Sequence, residues 1–138
     1  LFTKAEQLTM MSLWGIFKSP LMMGGNLPEN DKWTLSLLTN KEYLEMHKYS
    51  FGAFQLERNE TNEKGSIIWI SNGKSCKYAA MFNTKDKSSN ITLDLTKILM
   101  SDTKYQIYDI WNSKELGSFK NKFKYEIEPH GALLIKIS

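Results

Sequence analysis

The sequence predicts an α+β chain of two unequal parts. A helix, a parallel strand and a second helix come first, and an antiparallel β-sandwich of Greek-key type follows. Three observations carry this. A capping box opens a run of helical apolar spacing at residues 3–18, an apolar triplet closed by two glycines comes next, and after about Lys41 the apolar period changes to two.

The first helix is predicted over about Lys4 to Lys18. Thr3 can accept from the backbone of the first turn while Glu6 reaches back to Thr3. Leu8, Met10, Met11, Trp14 and Phe17 recur at spacings of three and four, which a helix gathers into one apolar face. Ser19-Pro20 ends it, because the residue before proline is pushed out of the α region. Leu21-Met22-Met23, closed by Gly24-Gly25, reads as a strand buried on both faces, as in a parallel sheet. Pro28, Glu29 and Asp31 mark another helix start, with Trp33, Leu37 and Leu38 as its stripe until Thr39-Asn40. A lone buried parallel strand needs partners from other crossover units, so this is part of a βα-repeat whose neighbours are missing.

Beyond Lys41 the runs FGAFQLER, SIIWIS, CKYAAMFNT, NITLDL, YQIYDIW, LGSFK, FKYEIE and GALLIKIS alternate or are continuously apolar. Turn material such as SNGKS, KDKSS and EPHG separates them. Ile91, Leu93 and Leu95 should share one face against Thr92 and Asp94. Phe123, Tyr125 and Ile127 should oppose Lys124, Glu126 and Glu128. Leu133, Ile135 and Ile137 should enter the core with Lys136 facing solvent, and Gly131 should make the turn after Pro129. Roughly eight short strands fit a sandwich, and the junction near residues 40–50 is tight.

Composition narrows the function classes. The chain has 138 residues and a net charge of +3, and Arg58 is its one arginine, which argues against nucleic acid as a partner. No apolar run reaches bilayer length, which argues against a membrane span. The start LFTKAEQLTMM lacks the n- and h-regions of a signal peptide and begins with Leu1, so the chain is expected to be cut from something longer. Cys76 is alone, and His47 and His130 lack ligand spacing, so neither a disulfide nor a metal site is expected. Asn59-Glu60-Thr61 and Asn90-Ile91-Thr92 match the glycosylation pattern but carry no weight for localisation.

The ordered set of motifs is more specific than any one of them. LTMMSLWGIFKSPLMMGGNL followed by LSLLTNKEYLEMHK resembles the end of the catalytic barrel of the melibiase family of α-galactosidases, glycoside hydrolase family 27. SIIWIS, KYAAMFN, YDIWNSKELG and IEPHGALLIKI resemble that family's C-terminal β-domain. The resemblance implies that residues 1–45 are the last helix, strand and helix of a (β/α)8 TIM barrel and residues 46–138 an antiparallel β-domain. It also implies a retaining exo-glycosidase acting on terminal α-galactosides or related sugars, with no cofactor, and in need of the missing N-terminal barrel strands. An extracellular, periplasmic or lysosome-like compartment is implied over the cytosol. The competing class is a stand-alone, non-catalytic carbohydrate-binding or interaction sandwich.

Such enzymes use an Asp nucleophile and an Asp acid/base about 5 Å apart. Neither motif occurs in this sequence, so no catalytic residue is carried over: both Asp are expected upstream of Leu1, and the chain alone is expected to be inactive. Asp31, Asp86, Asp94, Asp102 and Asp109 read instead as helix-start, strand and turn acids. Barrel enzymes build their sites at the C-terminal strand ends, which here makes Met23, Gly24, Gly25 and Asn26 the substrate-pocket rim. The family usually has Asp where Asn26 stands, so the position lacks that charge; Asn26 can equally cap the next helix. HKYS stands where many members have NQD. Trp69 and Trp111 sit in strand patterns, where core packing accounts for them better than sugar stacking.

Overall fold

The computed structural model describes residues 3–16, 36, 39–61, 65–98 and 104–138. Helix α1 spans Lys4–Ile16 and α2 spans Lys41–Tyr49. The strands are β1 (Phe51–Glu60), β2 (Gly65–Asn72), β3 (Lys77–Asn83), β4 (Ser89–Asp94), β5 (Tyr105–Asp109), β6 (Lys114–Phe119), β7 (Lys122–Ile127) and β8 (Ala132–Ile137), with a 3-10 turn at Leu95–Lys97. All eight anticipated strands are present among the described residues. Leu1, the anticipated strand at residues 21–23, the helix starting near Pro28, Phe17, Lys18 and the Trp14 side chain lie outside the described residues.

The capping box forms as read. Thr3 N donates to Glu6 Oε1 at 3.0 Å and Glu6 N donates to Thr3 Oγ1 at 3.1 Å, which satisfies two donors that a helix start leaves open. The sequence reading needs correction at residues 41–49, where it placed the change to period two. Ser36 is helical and Thr39 is a turn, and Asn40, where the preceding helix was expected to stop, also caps a further helix, α2, its Oδ1 accepting from Tyr43 N at 2.9 Å. Tyr43 and Met46, three apart on this short helix, are fully buried.

The strands form two antiparallel sheets, one of six strands in the order β1-β2-β3-β8-β5-β6 and one pairing β4 with β7. β8 lies between β3 and β5, and β4 pairs with β7, so neither sheet follows chain order throughout. The period-two pattern sorts β2, β3 and β8 onto two buried faces. Ile68, Ile70, Ala79, Met81, Leu133, Ile135 and Ile137 meet Ile91, Leu93, Phe123 and Ile127 in the sandwich core. Tyr78, Ala80, Phe82 and Leu134 point the other way, onto Met11, Ile16, Tyr43 and Met46 of the helices. The large sheet is thus covered by the small sheet on one side and by α1 and α2 on the other.

Two expectations for the C-terminal strand change. Leu133, Ile135 and Ile137 do enter the core, but Lys136 is not simply solvent-facing: it lies on the helix side, and its Nζ is 3.3 Å from Glu42 Oε2. In the turn before β8, Gly131 N donates to Glu128 O at 3.0 Å, and the residue with positive φ is His130, at 54°, not Gly131. Pro129 and then a left-handed residue are the central pair of a type II-like turn.

Candidate functional site

The predicted rim, Met23, Gly24, Gly25 and Asn26, lies outside the described residues, as do Asp31 and Asp102. Leu1, upstream of which the catalytic Asp pair is expected, lies outside them too. The described residues build the junction where the helices meet the sheet. Six side-chain contacts tie it. Tyr43 donates its hydroxyl to Met11 O at 2.7 Å, joining α2 to α1. Trp111 Nε1 donates to Ser12 Oγ at 2.8 Å, and its ring lies 4.6 Å from that of Tyr43. Thr9 Oγ1 reaches His130 O at 2.7 Å, Asn40 Nδ2 reaches Ile110 O at 2.7 Å, and Lys136 pairs with Glu42. Gly15 lets the helices approach this closely: a Cβ there would stand 2.6 Å from the Tyr43 ring and 2.7 Å from Met46 Cε.

Beside this junction runs a groove of about 560 Å³. Glu6, Thr9, Met10 and Leu13 of α1 form one wall; Gln55, Arg58, Ile67, Trp69, Phe82, Asn83, Thr84 and His130 form the rest. Its lining is mostly apolar, with Glu6, Gln55 and Arg58 among the polar residues. Arg58 is drawn along the edge strand toward Glu60, at 3.3 Å. Trp69 in β2 and Trp111, which lies in the turn after β5 and not in a strand, are both partly buried and pack against the helix-side core, and Trp69 also lines the groove.

The acids take structural posts. Asp94 caps the 3-10 turn through Thr96 N at 3.0 Å, and these hydrogen bonds from Thr96 hold its carboxyl below the usual range. The hydrogen bonds from Thr3 likewise lower Glu6. Asp109, almost wholly buried, accepts from Asn112 N at 3.2 Å and Nδ2 at 2.8 Å, and so shapes the turn into β6. Asp86 contacts His130 Nε2 at the surface. Burial, with no charged partner, pushes the Tyr43 hydroxyl up. Burial opposes the charge of Lys136, but the Glu42 carboxylate outweighs it and raises the group. None of these carboxylates is arranged as a paired acid and nucleophile.

Sequence reasoning passed over Asn83, the most heavily bonded side chain of the domain's loop end. Its Nδ2 donates to Lys87 O, Ile127 O and Glu128 O at 2.8, 2.9 and 3.2 Å, and its Oδ1 accepts from Lys85 N at 3.0 Å. It joins the β3–β4 loop to the β7–β8 turn. Its signal was the invasion of an apolar strand end by one amide, in MFN.

Comparison with known proteins fits this architecture. A family described as the alpha galactosidase C-terminal beta sandwich domain matches residues 63–137, more than half of the chain. The chain belongs to this family. Members with solved structures agree in fold: a GH27 β-L-arabinopyranosidase from Geobacillus stearothermophilus superposes with a TM-score of 0.89 at 40% identity, covering 99% of this chain and 31% of that one. α-Galactosidase I from Mortierella vinacea, at 19% identity and a TM-score of 0.82, covering 99% of this chain and 36% of that one, shows the fold alone. Among curated relatives, alpha-galactosidase D of Emericella nidulans is 27% identical over 99% of this chain and 21% of its own length. Alpha-galactosidase 2 of Arabidopsis thaliana is 26% identical over 99% of this chain and 34% of its own length. The chain thus spans about a fifth to a third of the length of these relatives, and its residues 63–137 correspond to the family's C-terminal sandwich domain.

Proposed function

We propose that the chain is the C-terminal part of a retaining exo-glycosidase that hydrolyses terminal α-galactosyl residues. In this reading residues 1–45 close its (β/α)8 barrel, and residues 46–138 form the β-domain that buttresses it. The observation that carries the reading is the sandwich of the α-galactosidase family with two helices packed on its large sheet through Met11, Ile16, Tyr43 and Met46. Residue 45 falls inside α2, so the division runs through a helix that both parts share.

The chemistry belongs to the parent's barrel, where an Asp nucleophile and an Asp acid/base, both upstream of Leu1, would form and hydrolyse a glycosyl-enzyme intermediate. This chain's contribution is positional: it holds the last barrel elements through Tyr43, Trp111, Asn40 and Thr9, and Met23, Gly24, Gly25 and Asn26 would edge the sugar pocket. A second sugar is favoured by one observation, the 40% identity to a β-L-arabinopyranosidase. The parent would act in an extracellular, periplasmic or lysosome-like compartment.

The test sets the parent and the isolated chain against aryl α-galactoside and aryl β-L-arabinopyranoside. Turnover by the parent and none by residues 1–138 is expected. Turnover by the chain that an Asp substitution within it abolishes would overturn the reading. A parent that prefers the arabinoside would select the second sugar.

A further inference from the structure

We infer that the cavity between the C-terminal end of α2 and the β2–β3 turn is a second, non-catalytic binding site for a single pyranose sugar. It holds about 340 Å³, and its lining includes Glu45 and Tyr49 of α2, Lys74, Ser75 and Cys76 of the turn, and Lys136 of β8. Small-molecule pockets run from about 300 to 1,000 Å³. The cavity stands at the lower end of that range, with room for one sugar ring and not for an oligosaccharide.

Its polar groups are in place before any ligand arrives. Lys74 Nζ stands 3.7 Å from the centroid of the Tyr49 ring, a cation–π contact that fixes the ammonium at the cavity. Gly73 N donates to Cys76 O at 2.8 Å and closes the turn. The turn lies so close to β3 that a Cβ on Gly73 would stand 2.6 Å from Cys76 Sγ and 2.7 Å from Tyr78 Cε2. Lys136 is held by Glu42, at 3.3 Å. Donors fixed in this way spare a ligand much of the ordering cost that free lysines impose.

The ligand class follows from the balance of charge and of hydrogen-bonding groups. Glu42 answers Lys136, and Glu45 lines the same cavity as Lys74, so a bare anion gains little there. A neutral polyol uses both signs. Each hydroxyl both donates and accepts, so a sugar can donate to Glu45 and accept from Lys74, while the Ser75 hydroxyl serves either way. Tyr49, Cys76 and the lysine stems give the C–H faces of the ring an apolar lining.

The test reads alkylation of Cys76 by iodoacetamide in the full-length parent, by mass spectrometry of its peptide, because this thiol lines the cavity. The probes are galactose and L-arabinose, a choice that rests on the reading above. Saturating sugar is expected to slow alkylation at least about fivefold, with half the effect at millimolar concentration. A control thiol from Lys124→Cys, on the exposed face of the small sheet, should not respond. Lys74→Ala and Glu45→Gln, at exposed and partly exposed positions, should each raise the half-protecting concentration about tenfold, and Lys74→Arg should keep most of the protection. Equal alkylation with and without sugar would overturn the inference. So would protection by inorganic phosphate alone, which marks an anion site, or protection that survives both substitutions, which marks a signal from the barrel's own pocket. Protection in a parent that hydrolyses neither aryl glycoside would sustain this site while refuting the proposed activity, and turnover without protection would do the reverse.

Discussion

At the scale of single residues, Asn83 and Ile135 carry the sharpest expectations. Asn83 is an amide whose donors face three carbonyls in a place closed to water. Asn83→Ala leaves those carbonyls without their donor, at a cost of about 1–3 kcal/mol. Asn83→Asp should be worse at neutral pH, since an ionised carboxylate only accepts and would face carbonyl oxygens. Chemical denaturation of the two variants checks the order, and an Asp variant as stable as wild type would contradict the geometry. Ile135→Ala opens a cavity in the sandwich core and should cost about 2–5 kcal/mol. Lys136→Ala, one residue along, loses a partly exposed pair with Glu42 and should cost only about 0.5–1 kcal/mol. If the Lys136 variant proved the more damaging, the register of β8 would be wrong.

At the scale of elements, the contact of α1 with α2 is set by Gly15. The Tyr43 ring cannot swing aside without breaking its bond to Met11 O, so Gly15→Ala must push the helices apart. Overpacking of this kind costs about 1–3 kcal/mol, which outweighs the gain of up to about 1 kcal/mol that alanine brings to a helix interior. A lowered thermal midpoint is the expected result; a raised one would place the helices farther apart than described. The start of α1 should also respond to acid. Glu6 is held below its ordinary value by the Thr3 bonds, so the unfolded chain takes up the proton before the folded one does. Its contribution is therefore complete above the ordinary carboxylate range and declines as pH falls through the depressed value. Asp94 follows the same sign through Thr96. Glu6→Gln should flatten the fall in stability between about pH 5 and pH 3, measured by denaturation at stepped pH; an unchanged slope would remove Glu6 from the account.

At the scale of the whole molecule, protection should be layered. β3 and β8 are central in the large sheet and buried on both faces, whereas α1 buries one face and is held by a handful of side-chain bonds. Amides of α1 should thus exchange through smaller openings than those of β3 and β8. Hydrogen exchange by mass spectrometry reads this directly, and equal protection in the isolated chain would refute it. The layering follows from topology: a strand with two neighbours and two covered faces cannot open alone, and a helix docked on the surface of a sheet can.

The sequence by itself determined the order of the elements and most of their faces. Alternation in ITLDL and FKYEIE placed Ile91, Leu93, Phe123 and Ile127 inward without any knowledge of their partners, because a pleated strand sends successive side chains to opposite sides. The box of Thr3 and Glu6 was equally legible, since both partners lie within one turn. What only the tertiary structure decided involves groups far apart in the chain. α2 was hidden because its burial rests on two side chains, Tyr43 and Met46, that count as a face only once α1 and Trp111 lie against them. Lys136 looked solvated because its partner Glu42 stands 94 positions away. The groove and the bonds of Asn83 could not be read from spacing at all: local order depends on neighbours in sequence, whereas a site depends on neighbours in space.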